Sequence, residues 1–362
     1  MLWVILFLSA GLINTIRSQE SPLREEVDKL IRFDTDIDYK KTPGFIVAVI
    51  DNDSTYYLSF GTRVKGRKEP FRHDDIFETG SLSKLLTASL VSLLEAEGKL
   101  SFDSKINNHL PTEYQNPRLD TLTVSHLLAH QSGFPKRPYY FGKKEKDIQN
   151  PYAHYKEEDL LKFYRDYIPR KGGFEYSHTN YGLLELVINK VTGESLQDNL
   201  EKYIFSPLGM ESSFVDFPEQ KTEVLVPGYN RAMKTVSPWS FSSFKASEGL
   251  KSTAADLVKY LRANMEMSGT PLDKLLDRNF TITSKPGFNS RLGVGLGWHE
   301  IDMHKFKIYM HTGRTSGYNA FAGMVRDTRT GVIILSNSSI GTEDLGMQIL
   351  RMINYNWKRL NI

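Results

Sequence analysis

A serine and a lysine three residues apart, Ser81 and Lys84, are the residues of this sequence best suited to covalent chemistry. Leucines at helical spacing predict a helix over 83–98, so the pair falls at its start, on one face and about one turn apart. A serine hydroxyl is a poor nucleophile until a neighbouring base removes its proton, and an amine at this spacing can reach it. Spacing alone equally fits a helix cap beside a solvated lysine, since the same spacing recurs at Ser242 and Lys245 in a predicted loop.

Strands from both ends of the chain surround this helix. Apolar, β-branched residues predict strands at 44–50 and 55–60, and the turn residues of 51–54 join them as a hairpin. Helices are predicted from 20 to about 39, through most of 120–265, and from 345 to 357, while the last third returns to strands at 306–310, 320–325 and 331–337. These elements predict an α+β fold: one antiparallel sheet built from both termini and flanked by helices, with an inserted, mainly helical lobe.

Composition restricts the classes of function. The chain has 362 residues, with 46 Lys+Arg against 43 Asp+Glu and a formal net charge of +3. This balance gives no reason to expect a nucleic-acid partner, and a hydrophobic fraction of 40% is too high for a disordered chain. The absence of cysteine excludes disulfide scaffolds, thiol nucleophiles, iron–sulfur clusters and zinc sites built on cysteine.

The N-terminus carries a short apolar run over 1–13, closed by the small residues Ser9, Ala10 and Gly11. The run is shorter than the roughly 20 residues of a membrane span, so a secretory signal peptide over 1–18 is predicted. No lysine or arginine precedes it, which leaves an uncleaved membrane anchor as the alternative. We therefore expect export to the periplasm or the cell exterior, or tethering through the uncleaved N-terminus, and no other stable membrane span.

A set of motifs in chain order resembles the penicillin-recognising serine hydrolases, the superfamily of class C β-lactamases, DD-peptidases and related esterases. The similarity covers roughly 42–340, and it is the collinear set rather than any one motif that indicates the family. The matching segments are 77–88 around Ser81 and Lys84, 122–135, 174–182 around Tyr176, 207–210, 249–257, 295–298 and 311–313. The resemblance implies a β-lactamase/DD-peptidase-like fold: one hydrolase domain over 19–362, with an α/β lobe at about 25–80 and 285–362 and a helical lobe at about 81–284.

The resemblance also implies roles for individual residues. Ser81 would be the acylated nucleophile, and Lys84 and Tyr176 would share the general-base work, with Tyr176 passing the proton to the leaving group. A phenol can act as a base only where a nearby cation stabilises its phenolate, and Lys84 is the obvious one. The oxyanion hole would consist of the backbone N–H groups of Ser81 and of Arg314, which follows Gly313.

Two positions depart from the family pattern. The tyrosine motif ends in His178, where the family usually has asparagine, and the third motif begins with His311 in place of lysine. A histidine at 311 replaces a permanent cation with a group expected to titrate near neutral pH. No separate carboxylate resembles the deacylating glutamate of class A β-lactamases, so hydrolysis of the acyl-enzyme would rely on Tyr176.

Arg314 stands where many relatives have a small residue. Its guanidinium could bind a substrate carboxylate with two hydrogen bonds. The alternative is that Arg314 is an ordinary surface arginine at a strand edge, with no role in binding. The predicted substrate-binding or oxyanion residues are therefore His178, His311, Thr312, Gly313 and Arg314.

The resemblance implies a serine hydrolase that cleaves an amide or ester through an acyl-enzyme on Ser81. Its small-molecule or peptide substrate would be a D-amino-acid peptide, a cell-wall fragment or a small ester, with β-lactams as weaker substrates. The proton-transfer groups require no metal, and no Walker or dinucleotide motif indicates a cofactor, so none is expected. The replacements at His178 and His311 leave one alternative, a catalytically weak binding or scaffold protein that keeps the fold. The sequence does not predict an oligomeric state.

Overall fold

The two ends of the chain build one sheet in the computed structural model, which describes residues 22–139, 141, 150–169, 173–218, 224–287 and 291–355. The strands, in chain order, are β1 (Gly44–Asp51), β2 (Ser54–Gly61), β3 (Ile76–Glu78), β4 (Gly228–Tyr229), β5 (Thr235–Val236), β6 (Lys251–Thr253), β7 (Leu292–Val294), β8 (His299–Asp302), β9 (Lys307–Arg314), β10 (Asn319–Val325) and β11 (Thr330–Ser336). The predicted signal peptide, 1–18, lies outside the described residues.

Eleven α-helices lie before, between and after these strands in the described part of the chain. They are α1 (Pro22–Phe33), α2 (Ser83–Ala96), α3 (Val124–Leu128), α4 (Glu157–Asp166), α5 (His178–Thr192), α6 (Leu196–Leu200), α7 (Ser206–Leu208), α8 (Lys245–Glu248), α9 (Ala254–Asn264), α10 (Leu272–Leu275) and α11 (Glu343–Tyr355). Single 3₁₀ turns lie at Gly80–Leu82, Ile106–His109, Thr112–Tyr114, Pro117–Leu119 and Leu276–Phe280, and a π turn lies at Glu201–Phe205. No helix of the described ranges is long and apolar enough to cross a membrane.

Within the described residues, seven strands form the main sheet in the order β2-β1-β11-β10-β9-β8-β7. The N-terminal hairpin closes with Asp51 opposite Ser54, and β1 pairs antiparallel with β11, so that Ile46 lies opposite Leu335. The remaining neighbours in the sheet are also antiparallel. The predicted α+β class, with a sheet from both termini, is confirmed.

Helices cover both faces of the sheet, which explains why β1 is apolar at every position from Phe45 to Ile50. Its odd-numbered residues Phe45, Val47 and Val49 pack in a cluster with α1 and α11, while Ile46, Ala48 and Ile50 face the larger cluster that contains α2, α5 and α9. Successive side chains of a strand point to opposite faces, so a strand buried on both sides shows no polar alternation.

The predicted helix bounds differ from the observed ones mainly at their ends. Helix α1 ends at Phe33 rather than near 39, because the Thr35 hydroxyl donates to the Ile31 carbonyl and polar residues follow. Helix α2 ends at Ala96, and Gly98 follows in the left-handed conformation that favours glycine, at a φ of 69°. Helix α11 begins at Glu343, and the predicted last residues, 356–357, lie outside the described residues.

Candidate active site

Ser81 lies in the 3₁₀ turn that connects β3 to α2, and two glycines bring the end of β9 against this turn. Gly80 has a φ of 52°, and a Cβ atom added to it would lie 2.8 Å from the Arg314 nitrogen. A Cβ atom on Gly313 would lie 1.9 Å from the Thr79 carbonyl oxygen and 3.0 Å from the Ser81 nitrogen. No larger residue fits at either position without moving backbone, so the glycines allow the main chains of Ser81 and Arg314 to approach.

A second segment is tied to the same turn by hydrogen bonds. The Ser83 hydroxyl donates to the Gly80 carbonyl at 2.6 Å and accepts from the Leu250 N–H at 2.9 Å. The Thr79 N–H donates to the Leu250 carbonyl at 3.0 Å, and β3 pairs with β6, with Glu78 opposite Lys251. The residues just before Leu250 are thereby placed beside Ser81, although about 170 positions separate them in the chain.

Lys84 lies one helical turn after Ser81, as the spacing predicts. Its Nζ is 3.1 Å from Ser81 Oγ, 2.9 Å from the Ser247 carbonyl and 3.3 Å from His178 Nδ1. The side chain is fully buried. Burial lowers the pKa of Lys84, and the carboxylate of Glu248, 2.9 Å away, opposes that fall.

Glu248 is the functional residue that the sequence analysis missed. Its Oε1 accepts a hydrogen bond from Ser81 Oγ at 2.5 Å, and it lies 2.9 Å from Lys84 Nζ and 2.5 Å from His178 Nδ1. The side chain is 2% exposed. Burial by itself would raise the pKa of Glu248, but Lys84 and His178 together hold it below its ordinary value, so the carboxylate is ionised. The one sequence signal was its position, directly before the 249–257 motif.

His178 is the first residue of α5, and its ring contacts the carboxylate of Glu248. The Ser177 hydroxyl caps the helix by accepting from the Asn180 N–H, and the Ser177 N–H donates to His130 Nδ1 at 3.0 Å. Burial lowers the pKa of His178 to about 4, against the opposing charge of Glu248. The neutral ring therefore donates its Nδ1–H to Glu248.

Tyr176 packs its ring between the histidines and the lysine of the site. The ring centroid is 4.6 Å from that of His130, and Lys84 Nζ lies 5.2 Å from the centroid, over the ring face. Tyr176 and Ser81 line the same cavity, and the Ser81 side chain opposes part of the rise in the pKa of Tyr176. Burial and the charge of Glu248 raise the pKa of Tyr176, so the phenol keeps its proton at neutral pH and suits a proton donor better than a base.

His311 is neutral, and the expectation that it titrates near neutral pH is wrong. Its ring is buried and stacked on His299, with centroids 5.0 Å apart, and its Nδ1–H donates to the Thr312 carbonyl at 2.7 Å. Burial, His299 and Lys84 all hold the pKa of His311 well below its ordinary value. Although several histidines gather here, the described residues contain no group of three metal-ligand side chains arranged around a common point.

A cavity of about 620 Å³ opens over these groups. Of the predicted site residues, all except the buried Lys84 line it: Ser81, Tyr176, His178, His311, Thr312, Gly313 and Arg314. Lys136 and Arg137, which the sequence analysis did not single out, also line it and are exposed. The Arg137 guanidinium lies 5.2 Å from the ring centroid of Phe141. Three cationic side chains, of Lys136, Arg137 and Arg314, therefore border a cavity that contains one buried carboxylate.

Comparisons with known proteins show the family and the fold of this chain. The sequence model of the β-lactamase family matches residues 30–354. A β-lactamase from Providencia stuartii is 27% identical over 264 residues, which cover 72% of this chain and 65% of that protein. A class C β-lactamase structure superposes with a TM-score of 0.79 and 24% identity, over 92% of this chain and 96% of the other.

A second structure shows the same fold. A β-lactamase/D-alanine carboxypeptidase from Pseudomonas syringae superposes with a TM-score of 0.76 and 21% identity, over 91% of this chain and 97% of the other. The family match over most of the sequence and the shared fold make this chain a member of the β-lactamase family of serine hydrolases.

Proposed function

We propose that this protein cleaves an amide or an ester through an acyl-enzyme on Ser81. The observation that carries the proposal is the environment of one hydroxyl. Ser81 Oγ lies 3.1 Å from Lys84 Nζ and donates to a buried carboxylate, at a turn that faces a cavity of about 620 Å³. A serine surrounded by proton-transfer groups at the edge of a cavity is the arrangement that nucleophilic catalysis requires.

The acylation step uses the groups around the hydroxyl in order. Ser81 Oγ attacks the substrate carbonyl as its proton passes to a neighbouring proton-transfer group. The developing oxyanion is stabilised by the backbone N–H groups of Ser81 and Arg314, which Gly80 and Gly313 allow to approach each other. Tyr176, whose raised pKa keeps it protonated, donates to the leaving group as its bond to the carbonyl carbon breaks. Thr312 and His311 line the wall of the cavity that receives the substrate.

The charges around the cavity favour a substrate that carries a carboxylate. Lys136, Arg137 and Arg314 line it, and guanidinium groups bind carboxylates with paired hydrogen bonds. A D-amino-acid peptide or a cell-wall fragment ends in such a group, which agrees with the D-alanine carboxypeptidase activity named for one structure of the same fold. Small esters share the chemistry of the acyl step, and β-lactams are the weaker substrates, because His311 is neutral where the family usually has a lysine.

The N-terminal segment completes the proposal. Residues 1–18 direct export to the periplasm or the cell exterior, with tethering through an uncleaved segment as the alternative, and 19–362 form the hydrolase domain with its α/β and helical lobes. N-terminal sequencing of the protein recovered from cell fractions distinguishes the two fates, because an intact Met1 in the membrane fraction contradicts cleavage.

Intact-mass spectrometry tests the acyl-enzyme directly. The purified protein is exposed briefly to an activated ester and, separately, to benzylpenicillin, with Ser81→Ala as the matched control. We expect an ester adduct on the wild type that the control lacks, and a smaller or slower adduct with benzylpenicillin. A wild type that gains no mass with either reagent or with a fluorophosphonate probe contradicts the proposal and favours a binding protein that keeps the fold.

A further inference from the structure

Glu248 occupies a position from which a single oxygen contacts the nucleophile, the buried lysine and the neighbouring histidine. Its Oε1 accepts from Ser81 Oγ at 2.5 Å, lies 2.9 Å from Lys84 Nζ, and accepts from His178 Nδ1 at 2.5 Å. Among the described residues, no other carboxylate contacts Ser81. The hydroxyl hydrogen of Ser81 therefore points at a carboxylate and not at the lysine nitrogen.

The other two groups near the hydroxyl are poorly placed to take its proton. Lys84 shares a buried ion pair with Glu248, and a lysine that keeps its proton is a donor rather than a base. Tyr176 stays protonated because burial and Glu248 disfavour its phenolate, and the lysine charge lies over its ring face rather than at its oxygen. By geometry and by charge, the acceptor at Ser81 is the carboxylate.

We propose that Glu248 is a catalytic base that accepts a proton in both half-reactions, an inference that rests on the proposed acyl-enzyme. In acylation, the Oγ–C bond forms and the Ser81 proton passes to Glu248. The bond to the leaving group then breaks, and that group takes a proton from Tyr176, which is reprotonated from Glu248 through a water molecule. In deacylation, Glu248 takes a proton from the attacking water, the C–Oγ bond breaks, and the proton returns to Ser81 Oγ, so the enzyme is regenerated unchanged.

Hydrogen bonds from two helices hold the segment that contains Glu248, which keeps the carboxylate next to Ser81 throughout the catalytic cycle. Two residues of helix α2 donate hydrogen bonds to this segment: Lys84 Nζ to the Ser247 carbonyl at 2.9 Å, and the Thr87 hydroxyl to the Ala246 carbonyl at 2.8 Å. Helix α5 binds it through the Glu185 carboxylate, which accepts from the Ala246 N–H at 3.1 Å. Preorganised contacts of this kind hold a base in reach without further ordering.

The lowered pKa of Glu248 makes it a weak base towards a free hydroxyl, so the proton moves only as the Oγ–C bond forms and the hydroxyl becomes more acidic. The base is needed in the transition state and not in the resting enzyme. Its removal therefore slows the chemical steps while leaving substrate binding largely intact.

Substitution of Glu248 by glutamine tests the proposal, since it keeps the size and one acceptor oxygen but removes the charge. We expect Glu248→Gln to lower kcat by about 10²–10⁴-fold, the range that general bases contribute, with KM changed far less. The matched control is Asp256→Asn, because Asp256 is also buried and paired with a lysine, 3.0 Å from Lys259, but contacts Ser213 rather than Ser81. Asp256→Asn should lower the unfolding temperature while kcat stays near the wild-type value.

Rescue of Glu248→Ala by small anions distinguishes two roles for Glu248, that of a base and that of a counter-ion to Lys84. Formate and acetate can accept a proton and should restore turnover, acetate more strongly in proportion to its basicity, whereas chloride at equal ionic strength should not. Glu248→Asp, which moves the carboxylate back by one carbon, should keep partial activity and provides the folded variant should the others unfold.

The outcomes are distinguishable. Equal rescue by chloride and formate, or a loss in kcat of less than tenfold in folded Glu248→Gln, overturns the role of Glu248 while Ser81 acylation stands. A wild type that forms no adduct on Ser81 overturns the proposed function and this inference with it.

Discussion

Replacing Lys84 with methionine should destabilise the fold by leaving Glu248 charged and buried without its cation. Breaking a buried ion pair on one side costs about 3–5 kcal/mol. Ser81 and His178 still donate to the carboxylate at 2.5 Å each, so we expect a loss near the lower end, about 3 kcal/mol, at neutral pH. Urea unfolding followed by the fluorescence of the four tryptophans measures it.

The stability of the wild type and that of Lys84→Met should change in opposite directions as the pH falls. In the wild type the pKa of Glu248 is lowered, so the ion pair stabilises the fold at neutral pH, and that contribution is lost as the pH falls below the ordinary range of glutamate. In Lys84→Met burial is opposed only by Ser81 and His178, and we expect it to raise the pKa of Glu248 above its ordinary value. The variant should therefore recover stability on acidification, by about 1.4 kcal/mol for each pH unit over which the folded chain binds the extra proton.

A double-mutant cycle completes the test. Lys84→Met combined with Glu248→Gln should be more stable than Lys84→Met alone, because no charge is left buried without a partner. Losses that simply add, or a destabilisation of Lys84→Met that is the same at pH 5 and pH 7, would refute the ion pair as described.

Three further predictions concern the wall of the cavity. Because the pKa of His311 is held well below its ordinary value, His311→Gln should leave the shape of the kcat/KM profile between pH 6 and 8 unchanged. A rise or fall of kcat/KM in that pH range that the wild type shows and the variant lacks would contradict a neutral ring. Gly313→Ala should abolish most activity, because the new Cβ would lie 1.9 Å from the Thr79 carbonyl oxygen. Gly173→Ala is the matched control, because its Cβ would have no atom within 4 Å; its turnover and unfolding temperature should stay near the wild-type values. Arg314→Ala should lower kcat/KM about tenfold or more on substrates with a free carboxylate, which corresponds to the loss of one charged hydrogen bond. The loss should be much smaller on substrates that have no carboxylate, and an equal loss on both kinds of substrate would show that Arg314 does not recognise the carboxylate.

The features that the sequence predicts well are those set by neighbours in the chain. The hairpin of β1 and β2 follows from β-branched runs around a turn, and the approach of Lys84 to Ser81 follows from the pitch of a helix. The order of the family motifs also places Tyr176, His311 and Arg314 around the same cavity. Helix ends are less well predicted, as at Phe33, because they depend on side-chain caps as well as on the apolar pattern.

The features that only the tertiary structure decides are contacts and charge states between distant residues. Glu248 and Ser81 are separated by 167 positions, and the pairing of β3 with β6 is what brings them together. The protonation states of His311 and Tyr176 follow from burial and from the charges of Lys84 and Glu248, which no local pattern encodes. Spacing along a helix is a local property of the chain, whereas solvation and electrostatic fields arise from whatever the folded chain packs around a group.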